Sequence, residues 1–150
     1  MKKAIAEAFK YDDQLMIEKL IVGQELACGV CSDKGNARAL AVTEITSKNE
    51  FYDYQSKYTD GLHDLITPAR LSKENYDLVM RYSEKIYHHL NCKGVVRVDF
   101  IITKEGIPYF LEINTIPGQT AMSIIPNQVK FNNLNLKDFY TEIIMDAFNK

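Results

Sequence analysis

GVVRVDFIITKEGIPYFLEINT, residues 94–115, is the stretch of this 150-residue chain that decides its fold. Two runs rich in Val, Ile, Phe and Tyr flank Glu105-Gly106, which is typical of two antiparallel strands joined by a tight turn. We predict a loop of two residues, with Lys104 opposite Ile107, or a loop of four residues in the same register. A loop of three residues would shift the pairing by one residue.

The predicted register separates the side chains of the hairpin into two faces. Asp99 faces Glu112, and Arg97 faces Asn114. One face carries apolar side chains that can join a core: Val98, Phe100, Ile102, Tyr109, Leu111 and Ile113. The other face carries the four polar residues together with Ile101 and Phe110. A slip by one residue would mix the two sets, so burial of one face should hold the register.

The polar face has the composition of a metal and phosphate site. Directly opposed carboxylates repel each other unless a cation lies between them. Asp99, Glu112 and the amide of Asn114 supply the oxygen ligands that magnesium prefers. Arg97 is a suitable donor to a phosphoryl oxygen. Alternatively, these side chains lie on the solvated face of an antiparallel sheet.

Composition excludes several function classes. The net charge of −2 offers no basic surface for nucleic acid, and no apolar run is long enough to span a membrane. The residue total suits one domain, residues 1–150, with a substantial core. Without an export signal, we expect Cys28, Cys31 and Cys92 to be reduced thiols in a cytoplasmic protein. In a strand, Cys28 and Cys31 would point to opposite faces, which disfavours a zinc site.

The rest of the pattern predicts α+β, with a mostly antiparallel sheet packed against helices. The expected strands are residues 15–22, 25–31 and 37–45, then the hairpin; residues 65–68 form a short strand at most. The expected helices are residues 2–10, 72–90 with Ser72 as N-cap, a turn in 127–133, and 136–148. In the long helix, Val79, Tyr82, Ile86 and Leu90 form the expected inward stripe. In the last helix, Leu136, Phe139, Tyr140, Ile143 and Ala147 should face inward.

Five short segments resemble one enzyme family, in the same order. VRVDF (96–100) and EINTIPGQT (112–120) resemble the C-terminal, ATP-grasp part of the D-alanine–D-alanine ligases. IEKLIVGQEL (17–26) is similar to the adenine-hinge segment of that family, FYDYQSKYTDG (51–61) to its omega loop, and TPARLS (67–72) to the strand before its long helix. The resemblance covers nearly the whole chain and implies the C-terminal subdomain of an ATP-grasp fold.

The resemblance implies roles for the polar face of the hairpin. Asp99, Glu112 and Asn114 match the ligands of two magnesium ions that hold the ATP phosphates, and manganese could replace magnesium. Arg97 matches the arginine that stabilises the transferring phosphoryl group.

It also implies a nucleotide site and an acceptor site. Glu18, Lys19 and Ile21 match the adenine hinge, and Glu25 matches the acid that binds the ribose hydroxyls. Lys57 matches an omega-loop lysine near the γ-phosphate, and Tyr58 matches the tyrosine that closes over the second D-alanine. Gly118 matches a backbone donor to the tetrahedral intermediate, and Ser123 matches the hydroxyl that holds the acceptor carboxylate. Alternatively, Glu18 and Glu25 are solvated surface charges, and Ser123 bonds its own backbone.

The family implies a ligase that uses ATP to join two D-alanine molecules through an acyl phosphate, for peptidoglycan precursors. Members of the family are about twice as long and are usually dimers. The N-terminal domain and part of the central domain have no counterpart here, so we expect no ligation by this chain alone. The alternatives are an ATP-grasp ligase with another acceptor and a non-catalytic module that binds magnesium nucleotide. A two-metal phosphohydrolase would use similar ligands, but the hinge-like segment disfavours it.

Overall fold

A five-stranded antiparallel sheet lies at the centre of this computed structural model, which describes residues 2–33, 35–47 and 63–148. Its strands are β1 (Gln24–Asp33), β2 (Asn36–Ser47), β3 (His63–Ile66), β4 (Val95–Ile102) and β5 (Pro108–Asn114). The helices of the described part are α1 (Lys2–Ala8), α2 (Lys73–His89), α3 (Ile124–Phe131) and α4 (Leu136–Phe148). The predicted α+β class with an antiparallel sheet is confirmed, since every described strand pairing is antiparallel.

Strand β1 occupies the middle of the sheet order β3-β2-β1-β4-β5. It pairs with β2 on one side and with β4 on the other, so its backbone groups are used along both edges. Residues 26–31 of β1 are all buried. This run is apolar because helices cover the strand on both faces of the sheet.

Two cores lie on opposite faces of the sheet. Helix α2 covers the larger core, which contains Cys28, Val98 and Phe100. The smaller core contains Cys31 and Val95, with Ile125 of α3 and Phe139 of α4. The two cysteines therefore lie on opposite faces, as predicted. Beyond Val95, β4 presents Arg97 and Asp99 on the face of the sheet that α3 packs against, and both side chains are only partly buried.

The hairpin formed by β4 and β5 has the predicted pairing at its polar end. Asp99 pairs with Glu112, and Arg97 pairs with Asn114. The predicted even loop is wrong, because Thr103 N donates to Ile107 O and the loop between them contains three residues, Lys104, Glu105 and Gly106. Gly106 has a φ of 78°, a conformation that glycine adopts without strain.

A bulge in β5 reconciles the odd loop with the predicted pairing. Phe100 pairs with Phe110 while Asp99 pairs with Glu112, so Leu111 is an extra residue in β5. The bulge places Phe110 opposite Phe100. The two rings meet edge to face, with their centroids 6.2 Å apart. Tyr109 and Leu111, which we expected in the core, are exposed.

The apolar run 15–22 does not form the predicted strand. Residues 14–22 have no regular secondary structure, and Met16, Ile17, Leu20 and Val22 are exposed. A strand needs a hydrogen-bonded neighbour, and these residues pair with none of the five strands of the sheet. Local hydrophobicity therefore predicted a strand that finds no partner in the described part of the sheet.

The inward face of α2 is rotated from the predicted stripe. Val79 is buried and Ile86 packs against the core, but Tyr82 and Leu90 are exposed. Ser83 and Tyr87 are buried instead, and the Ser83 hydroxyl donates to the Val79 carbonyl oxygen at 2.8 Å. A serine that bonds its own helix can be buried, which an apolar pattern does not reveal.

The last two helices differ from their predictions in smaller ways. Helix α3 begins at Ile124, three residues before the turn predicted in 127–133. Pro126 is compatible with this start, since it lies in the first turn, where a missing N–H is tolerated. In α4, Phe139 is buried, and Leu136, Tyr140 and Ile143 pack against the smaller core. Ala147 is exposed, contrary to prediction.

Across residues 2–33, 35–47 and 63–148, none of the helices combines the length and the apolar character that crossing a bilayer requires.

Candidate active site

A cleft of about 810 Å³ opens where β4, β5 and the segment before α3 meet. Its polar lining is drawn from distant parts of the chain: Glu18, Glu25, Arg97, Asp99, Glu112, Asn114 and Ser123. Gly118 also lines it. The fold therefore brings together most of the candidate residues that are described, from both ends of the sequence.

Arg97 and Asp99 form a partly buried ion pair in the cleft. Their side chains are 22% and 13% exposed, and they project from the same face of β4 because they are two residues apart. Arg97 Nε donates to Asp99 Oδ1 at 2.8 Å and to Oδ2 at 3.2 Å, and Nη2 donates to Oδ2 at 2.7 Å. This bidentate geometry orients the guanidinium and engages both carboxylate oxygens.

Glu112 and Asn114 lie opposite this pair on the edge strand β5. Glu112 is exposed, which leaves its carboxylate accessible from the cleft. Asn114 Oδ1 accepts a hydrogen bond from Ile116 N at 3.0 Å, and this bond turns the chain away from β5. The turn directs the following segment along the cleft towards Gly118.

Gly118 and Ser123 form the wall of the cleft nearest to α3. Ser123 is the N-cap of α3, and its Oγ accepts from Thr120 N at 3.1 Å and lies 2.9 Å from Thr120 Oγ1. A Cβ at Gly118 would lie 3.0 Å from Ser123 Oγ, a tight contact. The backbone at Gly118 therefore approaches the Ser123 hydroxyl closely because it carries no side chain.

Two of the four candidates for the nucleotide site line the cleft. Glu18, with its neighbour Met16, and Glu25 at the start of β1 line the cleft. Lys19 and Ile21 are not among the lining residues, although they belong to the same irregular segment. Lys57 and Tyr58 lie outside the described residues.

The oxygen donors of the cleft fit a hard divalent cation. Asp99 and Glu112 are directly opposed, and a cation between them would relieve their repulsion. Asn114 Oδ1 retains a second lone pair beside its bond to Ile116 N. Arg97 competes for the same Asp99 oxygens, so a cation would bind more readily once the guanidinium turns to another anion. Within the described residues, no group of three or more His, Cys, Asp or Glu side chains is placed to hold a metal, so the amide is needed to complete the set.

Sequence reasoning placed Phe110 on the polar face of the hairpin but missed the other apolar lining residues and the support of the cleft. Phe110, Leu111 and Met122 line the cleft beside the carboxylates. Leu111 was predicted on the core face of the hairpin, and this prediction is wrong because Leu111 is the extra residue of the bulge. Gln128, which is fully buried on α3, was also missed. The small residues Ala27 and Gly29, which leave room for it on β1, were the available signal.

Comparison with known proteins identifies the family. A family model described as D-ala D-ala ligase C-terminus matches residues 1–145. The D-alanine–D-alanine ligase of Porphyromonas gingivalis is 43% identical over 147 residues, which are 98% of this chain and 44% of that protein.

Two solved structures share the fold. D-alanyl-alanine synthetase A from Vibrio cholerae superposes with a TM-score of 0.82 at 25% identity, covering 99% of this chain and 45% of that one. The D-alanine–D-alanine ligase of Bacillus anthracis complexed with ATP gives a TM-score of 0.77 at 30% identity, covering 99% and 47%. The chain therefore spans somewhat less than half the length of these proteins.

Proposed function

The chain belongs to the D-alanine–D-alanine ligase C-terminal family, and we propose that it is the ATP-binding catalytic part of such a ligase. The complete enzyme would convert ATP and two D-alanine molecules into D-alanyl-D-alanine, ADP and phosphate, in the cytoplasm, for peptidoglycan precursors. The observation that carries the proposal is the pairing of Asp99 with Glu112 and of Arg97 with Asn114 in one cleft.

The polar end of the hairpin would bind the phosphates. Asp99, Glu112 and Asn114 would hold two magnesium ions, which supply positive charge to the phosphate oxygens when bound. Arg97 would exchange its bond to Asp99 for a bond to the transferring phosphoryl group. Transfer of a phosphoryl group depends mainly on positioning and on neutralised charge, and this cleft concentrates both.

The rims of the cleft would hold the remainder of the substrates. Glu18, Lys19 and Ile21 would read the adenine, and Glu25 would accept hydrogen bonds from the ribose hydroxyls. Met16 and Leu111 add apolar surface near Glu18.

The α3 wall would serve the acceptor D-alanine. The Ser123 hydroxyl would bind its carboxylate, and the Gly118 N–H would donate to the oxyanion formed when the amine attacks the acyl phosphate. Lys57 and Tyr58 would act from the segment before β3, near the γ-phosphate and over the acceptor.

A second portion of the enzyme is required by this proposal, because the relatives are about twice as long as the matched region. That portion would supply the pocket for the first D-alanine and the other half of the phosphate site. The complete enzyme would form a homodimer. The isolated chain would bind magnesium ATP weakly and would not ligate D-alanine.

A hybrid enzyme tests the proposal. This chain would replace the matching region of the Porphyromonas gingivalis ligase, where the two are 43% identical. The hybrid should release phosphate from ATP only with D-alanine, and the same hybrid with Asp99→Asn should not. A folded hybrid that is inactive, or that prefers a hydroxy acid or another amino acid as acceptor, would contradict the assignment. Dipeptide formation by the isolated chain would contradict the need for a second portion.

A further inference from the structure

We propose that Gln128 is a positioning residue. It holds strand β1 in place next to the part of β4 that carries Arg97 and Asp99. Its side chain is fully buried, although a buried primary amide is stable only when its donors and acceptor are bonded. The proposal depends on the proposed function only for the catalytic meaning of Arg97 and Asp99.

The Gln128 amide bonds two residues of the central strand. Its Oε1 accepts from Gly29 N at 2.9 Å, and its Nε2 donates to Ala27 O at 3.0 Å. Nε2 also donates to Thr43 Oγ1 on β2 at 2.9 Å. Helix α3 is thus tied to β1 and β2 by one side chain.

The two bonded residues of β1 are the direct partners of the ion pair. In the pairing of β1 with β4, Gly29 lies opposite Arg97, and Ala27 lies opposite Asp99. Cross-strand partners share a face, and this is the face that α3 packs against. Gln128 therefore lies beside the sheet positions from which both site side chains project.

A bulge makes this support necessary. Between the pairs of Cys28 with Val42 and Val30 with Ala39, Leu40 and Ala41 of β2 face only Gly29 of β1. A bulge disrupts the regular ladder and leaves backbone groups that need other partners. Gln128 Oε1 accepts the hydrogen bond of the Gly29 N–H, and Asn132 Nδ2 donates to the Leu40 carbonyl oxygen at 2.7 Å.

The space at Gly29 is shaped for the amide. A Cβ at Gly29 would lie 2.4 Å from Gln128 Oε1 and 2.7 Å from Ile125 Cδ1. Any side chain at this position would displace the amide or the helix. Helix α3 also has Ser123 as its N-cap. Gln128 therefore links the position of the Arg97–Asp99 ion pair to the position of Ser123 in the cleft.

The test measures the Arg97 Nε–H signal in the ¹⁵N-labelled 150-residue chain, without any ligand. Gln128→Leu leaves Gly29 N and Ala27 O without their partner and should lower Tm by roughly 5–10 °C. It should also shift the Arg97 Nε–H signal and speed its hydrogen exchange roughly tenfold. Asn132→Ala is the matched control. It removes the bond from the C-cap of α3 to Leu40 O at the bulge, on the side away from Arg97, and a bond to the Gln128 backbone oxygen, but it keeps all three bonds of the Gln128 amide. It should lower Tm while leaving the Arg97 signal unchanged.

Two results would overturn the proposal: an unchanged Arg97 signal in Gln128→Leu, or equal changes in both variants. Should Gln128→Leu fail to fold, Thr43→Val provides the milder perturbation, since it removes one of the three amide bonds. It should shift the Arg97 signal by a smaller amount, and no shift there would also count against the role. Because the readout requires neither ATP nor activity, an inactive hybrid ligase would leave this test intact.

Discussion

Arg97 and Asp99 form a bidentate ion pair across two positions of β4, with Nε to Oδ1 at 2.8 Å and Nη2 to Oδ2 at 2.7 Å. Both carboxylate oxygens are engaged by the residue that would bind phosphate in the proposed reaction. The ion pair therefore keeps the guanidinium and the carboxylate ordered before ligands arrive. It also makes the cation and the arginine competitors for Asp99.

This competition predicts that Arg97→Ala binds magnesium more tightly than the natural chain in the absence of nucleotide. Removing the arginine frees Asp99 to face Glu112, so affinity should rise roughly three- to tenfold, equivalent to about 1 kcal/mol. Calorimetric titration with magnesium chloride measures it. Arg81→Ala removes the same charge from an exposed position on α2 and should have little effect. Equal gains in both variants would show only a change of net charge.

Gly23→Ala should destabilise the fold by about 1–3 kcal/mol, because a Cβ there would overlap the backbone of β4. It would lie 2.2 Å from Ile102 O, and a backbone atom cannot rotate away as a side chain can. Urea unfolding measures the change. Gly118→Ala is the comparison, since its Cβ would press only on the Ser123 hydroxyl. Similar losses in the two variants would contradict the backbone contact at Gly23.

Stability should fall in acid through Glu44, which is buried on β2. Arg70 Nε donates to its Oε2 at 2.8 Å, and hydrogen bonds from Arg70 hold the pKa of Glu44 below its usual value of 4.5. A carboxyl whose pKa is lower in the folded state stabilises the protein fully above its unfolded pKa. That stabilisation is lost as pH falls below about 4.5 and through the folded pKa.

Glu44→Gln should therefore flatten the dependence of unfolding free energy on pH in this acidic range, measured by urea titration at several pH values. Glu142→Gln, exposed on α4, is the control and should keep the slope of the natural chain. A slope that is the same in the Glu44 variant would exclude this carboxyl as a source of the acid sensitivity.

The thiols should differ in reactivity by burial. Burial raises the pKa of Cys28 to about 12, and it also raises the pKa of Cys92, which is only half-buried. Because the thiolate is the reactive form, Cys92 should react first with a thiol reagent at pH 8, and its rate should rise with pH. Mass spectrometry of the labelled chain identifies the site. In Cys92→Ser, labelling should require unfolding, and rapid labelling of the folded variant would contradict the buried positions of Cys28 and Cys31.

Several features of the fold followed from local patterns. The antiparallel class, the Ser72 cap of α2 and the opposite faces of Cys28 and Cys31 were predictable, because periodicity and capping act over a few residues. The strand expected at residues 15–22 was not, since a strand depends on a neighbour that hydrophobicity cannot specify.

By itself, the sequence determined that Arg97, Asp99, Glu112 and Asn114 share one face of the hairpin, since a slip by one residue would mix the polar and apolar sets. Tertiary structure decided how that register is reached. An odd loop ending at Gly106 offsets the strands, and the bulge at Leu111 restores the pairing. Tertiary structure also brings Gln128, 99 residues from Gly29, to the central strand, where it accepts the hydrogen bond of the Gly29 N–H. Loop conformation and long-range hydrogen bonds depend on the whole folded chain, so no local pattern could specify them.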